Sequence, residues 1–132
     1  MRVNIGDVIL VPYGTYSGEI KNAVFLVIYH EAYDGNRSSS DFTGIKISSH
    51  EYHYGILLKK DFLPFLHHDS YINCNQQHRF SEDQVIKRLG EVNKQSMFNI
   101  LQQLKNYNAA TQRKLNQFIG SYQPTPYRAD ED

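Results

Sequence analysis

Apolar residues in this chain come in short runs, the longest from residue 23 to 29, and they keep a strand's period until about residue 97, where the spacing turns helical. Such a pattern limits the chain to a run of short strands followed by helix. It leaves no room for a membrane-spanning helix, which needs about 20 consecutive apolar residues. Residues 8–11, after a Gly6-Asp7 turn and closed by Pro12, read as a strand buried on both faces. Residues 23–30 form a second β-branched and aromatic run, expected at the centre of the sheet. From 42 to 48 the residues alternate, with Phe42, Gly44, Lys46 and Ser48 on one face and Thr43, Ile45 and Ile47 on the other, the latter expected to be the buried face. Residues 54–58 and 70–75 read as further strands joined by a connection at 59–68, residues 76–80 as an extension of the sheet, and 85–89 as a last strand stopping at Gly90.

After the strands, Met97, Ile100, Leu101 and Leu104 recur at the spacing of an amphipathic helix, with Asn93 as its N-cap. A second helix is expected over 109–119, ending at Gly120, and a flexible acidic tail over 121–132 that closes with Asp130, Glu131 and Asp132. Residues 34–41, with Gly35, Asn36 and three serines, have no apolar anchor and read as a mobile loop. With 132 residues the chain fits a single domain, taken here as 1–120. The class is α+β and strand-rich: a small, strongly curved, partly closed barrel with one or two helices at its C-terminal end.

Basic and acidic residues balance at 14 each, so no whole-molecule field draws the chain to nucleic acid or to a membrane, and any such binding must be local. The distribution is uneven: residues 43–114 hold ten basic and six acidic side chains, which makes the middle of the chain mildly basic. Cys74, the only cysteine, has no partner within the chain and reads as a buried structural thiol, and a reducing cytoplasm is the expected setting.

Three stretches, in order, resemble the MazF/PemK (Kid) toxins of type II toxin–antitoxin systems. The first runs from Ile5 and Gly6-Asp7 through Val8 to Tyr13. The second is Lys21-Asn22-Ala23 with the aliphatic residues after it, where family members carry Arg-Pro-Ala. The third is Ser70-Tyr71-Ile72-Asn73-Cys74-Asn75, followed by Gln84 to Gly90 and then the helix. The resemblance covers about residues 5–105 and implies an SH3-like barrel, shared with CcdB-like toxins. It also implies a homodimer, an antitoxin peptide as partner, and metal-independent cleavage of single-stranded RNA with no cofactor.

Cleavage of this kind needs a base for the ribose 2′-OH, donors for the phosphorane and an acid for the leaving 5′-oxygen. By position, the family's arginine after the first loop falls on Lys21 and its threonine at the end of the third strand on Ser48. The resemblance thus gives Lys21 the scissile phosphate and Ser48 its orientation. Lysine keeps the charge without the bidentate fork, and serine keeps the hydroxyl. In the PemK branch an arginine and an aspartate flank the position of Cys74. Here both are asparagines, Asn73 and Asn75, which can contact RNA but cannot take up a proton near neutral pH. A histidine could supply the missing base, and His30, His50, His53, His67, His68 and His78 all read as lying near strand ends or loops.

Further RNA contacts are expected from Ser49, from Tyr13 and Tyr16 stacking on unpaired bases, and from Lys59 and Lys60 holding phosphates. At least half of the tyrosines read as core or rim packing instead, and the lysines read equally as charges guarding a strand edge. His50-Glu51-Tyr52-His53 and His67-His68-Asp69 lack the spacing of metal-ligand pairs and read as solvated loop residues. The resemblance implies a toxin-like endoribonuclease. The alternative is a member of the same family that has lost catalysis and acts only by binding nucleic acid or protein.

Overall fold

The computed structural model describes residues 2–14, 18–35, 39–49, 55–58 and 69–105, with the side chains of residues 33, 34, 55, 57 and 75 left aside. Two compact units divide at Val92–Asn93. The first holds six strands: β1 (Asp7–Gly14), β2 (Ile20–His30), β3 (Asp41–Ser48), β4 (Gly55–Leu58), β5 (Ser70–Ser81) and β6 (Lys87–Glu91). They form one antiparallel sheet in the order β4-β5-β3-β2-β1-β6. Its hydrogen-bonded ladder does not close on itself among the described residues, as a partly closed barrel allows.

Buried positions explain why the runs are so apolar. The strand β2 lies between β1 and β3 and is buried from Phe25 to His30, as expected of a central strand. On one face, Ile9, Val11, Phe25, Val27, Phe42 and Phe80 cluster with Val3, and on the opposite face Val8, Leu26, Ile45, Ile47 and Ile72 are buried. Each fully buried aliphatic or phenyl side chain contributes about 1.5–3 kcal/mol. The sequence reading of β3 is therefore corrected, because Phe42 and Gly44 are buried as well as Thr43, Ile45 and Ile47. Only the end of β3 at Lys46 and Ser48 opens on that side.

Other boundaries differ for physical reasons. β1 continues past Pro12 to Gly14, because β6 pairs only with Asp7 to Leu10 and a missing N–H beyond that point breaks no second ladder. β6 runs through Gly90 to Glu91. Residues 70–75 and 76–80 belong to a single 12-residue strand, β5. Of the expected loop at 34–41, residue 34 belongs to a 3-10 turn over 31–34 whose end is capped by Gly35 at φ 91°, Asp41 opens β3, and residues 36–38 lie outside the described residues. The Gly6-Asp7 turn has its cause in Gly6, whose φ of 97° lies in the left-handed region. Asp7, 2% exposed, accepts from Asn4 N–H at 2.8 Å and from Arg88 Nε at 2.9 Å.

The described part of the second unit is the helix α1 (Lys94–Leu104). Asn93 caps it by accepting from Ser96 N–H at 2.8 Å, and Met97, Ile100, Leu101 and Leu104 form its buried stripe, as the sequence predicts. Among the described residues no helix is long and apolar enough to cross a membrane. The expected helix at 109–119 and the tail at 121–132 lie outside the described residues.

Candidate functional site

Residues paired across a ladder share a face of the sheet. Tyr13 pairs with Lys21, Phe25 with Lys46, and Gly44 with His78, so side chains from four strands meet on one surface. Ser48 alternates with Lys46 on β3 and joins the same face, as does its partner Tyr71. Along the strands this face changes character. Ile9, Val27, Phe42 and Phe80 line one end, and Tyr13, Lys21, Lys46 and Ser48 the other. The two residues that the family resemblance singles out, Lys21 and Ser48, therefore belong to one polar end of one sheet face.

Between the apolar and polar ends sits a tight group. Tyr13 Oη and His78 Nε2 are hydrogen-bonded at 2.9 Å, with ring centroids 5.0 Å apart. The imidazole also meets Phe25 edge-on at 5.8 Å and Phe80 at 6.3 Å. Lys46 Nζ lies 5.0 Å from the centroid of the Tyr13 ring, a cation–π distance. Burial, and then the charge of Lys46, push the His78 pKa below its ordinary 6.5, so the ring is neutral at physiological pH. A neutral imidazole beside a phenol and an ammonium can accept a proton and hold an anion on the same surface. Lys21 is exposed, its Nζ 3.6 Å from Glu19 Oε1, so its charge stands at the rim.

Strand β5 owes its part in this to an irregularity. Ile45 pairs with Gln77 but Ile47 pairs with Ile72, so residues 73–76 of β5 stand against Lys46 alone. Asn73 Nδ2 donates to Gln76 Oε1 at 2.8 Å and Gln77 Nε2 to the Cys74 carbonyl at 3.1 Å, which braces the bulge. Asn73 is only 6% exposed, and this brace, not an open RNA-contacting surface, is where its amide is found. Cys74 is buried, as the sequence predicts. Asn75 lies on the same stretch of β5.

Of the other expected contacts, Ser49 is exposed just past β3, while Tyr16, Lys59, Lys60, His50, His53, His67 and His68 lie outside the described residues. Tyr13 is not an open stacking platform, because its ring is held among Phe25, His78 and Lys46. His78 stands inside β5 rather than at a strand end, which corrects its expected place. His30 does end β2, as expected, but it is buried, with Nε2 3.2 Å from Glu82 Oε2 and Nδ1 accepting from Ala32 N–H. A pocket lined by Arg2, Val3, Asn4, His30 and Ala32 thus offers an imidazole already committed to structural partners. Lys46 was not an expected site residue, and His78 was one of six histidines that could supply a base, with nothing to single it out. The alternation of Lys46 with Ser48 was the available signal for the first, and the bulge hid the second.

Comparison with known proteins gives the same direction as the resemblance. No curated protein matches the chain. Among solved structures, a mycobacterial endoribonuclease in complex with its cognate antitoxin is similar at 18% identity and TM-score 0.51, covering 93% of this chain and 96% of that one. A second mycobacterial endoribonuclease is similar at 15% identity and TM-score 0.51, covering 97% of each chain. The MazE–MazF complex from Deinococcus radiodurans is similar at 12% identity and TM-score 0.54, covering 92% of this chain and 95% of that one. Identities this low establish a shared fold. The model of the PemK-like, MazF-like toxins of type II toxin–antitoxin systems matches residues 4–107, the stretch that holds every strand of the sheet and the helix after it, and on that match the chain belongs to this family.

Proposed function

We propose that the chain is the toxin of a toxin–antitoxin pair and cleaves single-stranded RNA without metal, by attack of a ribose 2′-OH on the adjacent phosphate. The observation that carries this reading is the polar end of the sheet face, where Lys21, Lys46 and Ser48 share a surface in a chain of this family. Lysine ammonium groups bind phosphate as point charges, and two on one face suit a backbone that passes between them. Lys21 holds the scissile phosphate, and the Ser48 hydroxyl orients it. Ser49, Asn75, Tyr16, Lys59 and Lys60 extend the contacts along the strand of RNA. In this reading the protein works in the cytoplasm as a homodimer, and an antitoxin peptide silences it, in keeping with the complexes that similar toxins form.

The test is incubation of the purified protein with a long single-stranded RNA in excess EDTA, beside Lys21→Ala. The expected products carry 2′,3′-cyclic phosphate and 5′-hydroxyl ends and form at least about 100-fold more slowly with Lys21→Ala, the scale of losing one transition-state donor. An RNA left intact by the unaltered protein would reject the reading.

A further inference from the structure

We infer that Tyr13 and His78 form the proton-accepting pair of this ribonuclease, with Tyr13 Oη facing the 2′-OH and His78 Nε2 behind it. The inference rests on the ribonuclease reading and supplies the base that Asn73 and Asn75 cannot provide.

A histidine among aromatic rings is by itself a packing residue. Three features take this one further. Its neighbours in the cluster, Phe25 and Phe80, have no polar atom, whereas Tyr13 carries the hydroxyl that meets the imidazole at 2.9 Å. The ladder partner of His78 is Gly44, whose missing side chain lets the imidazole and Phe25 come together. Finally, the pair belongs to the face that holds Lys21 and Ser48, and Lys46 approaches the same phenol ring. A cation against that ring favours negative charge building on the phenol as it gives up its proton.

The 2′-oxygen bonds to phosphorus as its proton passes to Tyr13 Oη, and the phenol's own proton passes to His78 Nε2. The bond from phosphorus to the 5′-oxygen breaks, and that oxygen leaves with a proton from water. The imidazolium then returns its proton to solvent through Tyr13. Direction requires Nε2 to be the unprotonated nitrogen, with the neutral ring's proton on Nδ1. Among the described residues the titratable groups facing the pair are Lys46 from β3 and Lys21 from β2. The remaining ring neighbours, Phe25 and Phe80, do not titrate.

The experiment compares single-turnover cleavage by the unaltered protein, Tyr13→Phe and His78→Gln over pH 5 to 9, with RNA affinity measured on a substrate whose attacking 2′-OH is replaced by hydrogen. Both variants are expected to cleave about 100-fold or more slowly, the usual worth of a positioned base, with affinity within about twofold and without the rise in rate through the His78 titration. Variants that cleave within about threefold of the unaltered protein and keep that rise would overturn the pair while leaving the ribonuclease reading intact. An inert unaltered protein would remove both. Independently of catalysis, 15N spectra of the imidazole are expected to show the Nδ1–H tautomer for His78, and the Nε2–H tautomer would overturn the relay.

Discussion

Gly44 stands directly across the β3–β5 ladder from His78, and a Cβ built on Gly44 would lie 3.2 Å from Cβ of Phe25. The glycine is there for space, since its φ is not in the left-handed region. Phe25 is fully buried against Tyr13 and Phe80, so it has no room to yield. Gly44→Val is therefore expected to lose about 1–3 kcal/mol of stability, the cost of overpacking a filled core. It should also break the contact between Tyr13 and His78. Urea denaturation measures the first, and an unchanged midpoint would show that Phe25 has room to yield.

Arg88 and Asp7 make an unequal pair. The carboxylate is 3% exposed and the guanidinium 44%, and Arg88 also reaches Glu91. The hydrogen bond to Asp7 and the charge of that carboxylate hold the Arg88 pKa above its ordinary value. Removing the arginine leaves a buried anion with Asn4 N–H as its remaining described donor, whereas removing the acid leaves a cation that water can reach. Arg88→Ala is thus expected to cost about 2 kcal/mol and Asp7→Asn about 1 kcal/mol, near the low end for buried pairs because the arginine is partly solvated. Thermal unfolding of the two variants and the double variant checks the order, and an Asp7→Asn loss exceeding that of Arg88→Ala would contradict it.

The strand order of events was readable because strand period is a local property. Runs such as residues 23–30 state their burial in their own composition, and Asn93 before Met97 states a helix start. The site was readable only where alternation stays in register. Lys46 and Ser48 alternate on one strand, so a common face could be read for them. His78 could not be found this way. Before the bulge, the odd-numbered Tyr71 faces Ser48, and after it the even-numbered His78 faces Gly44. An insertion of that kind reverses parity, and nothing in Asn73-Cys74-Asn75-Gln76 announces it. Pro12 misled for a related reason, because which side of β1 lacks a neighbour is a fact about β6.

Acid should destabilise the protein in part through His78. Burial and Lys46 lower its pKa in the folded state, while the unfolded chain keeps a value near 6.5. Between the two, the unfolded state binds more protons, so stability is full above the unfolded value and falls as pH drops towards the folded one. The difference in urea midpoint between pH 7.5 and pH 5 is expected to be smaller in His78→Gln than in the unaltered protein. Equal differences in the two proteins would mean that His78 titrates alike folded and unfolded.

Salt should distinguish the two faces of the sheet. Each phosphate contact released from single-stranded nucleic acid changes the slope of log affinity against log salt by about 0.7. Lys21 and Lys46 share the face with Ser48, while Arg79 pairs with Thr43 on the opposite face and is engaged by Asp41 at 2.9 Å and Glu31 at 3.8 Å. Binding of a non-cleavable single-stranded RNA is therefore expected to lose about 0.7 of slope in Lys21→Ala and again in Lys46→Gln. Arg79→Ala should leave the slope as it was, because its guanidinium is engaged by two carboxylates on the face opposite Lys21 and Lys46. The comparison is made by titration at several salt concentrations. A slope that falls in Arg79→Ala and holds in both lysine variants would move the RNA to the other side of the sheet, and the phosphate role of Lys21 would fall with it.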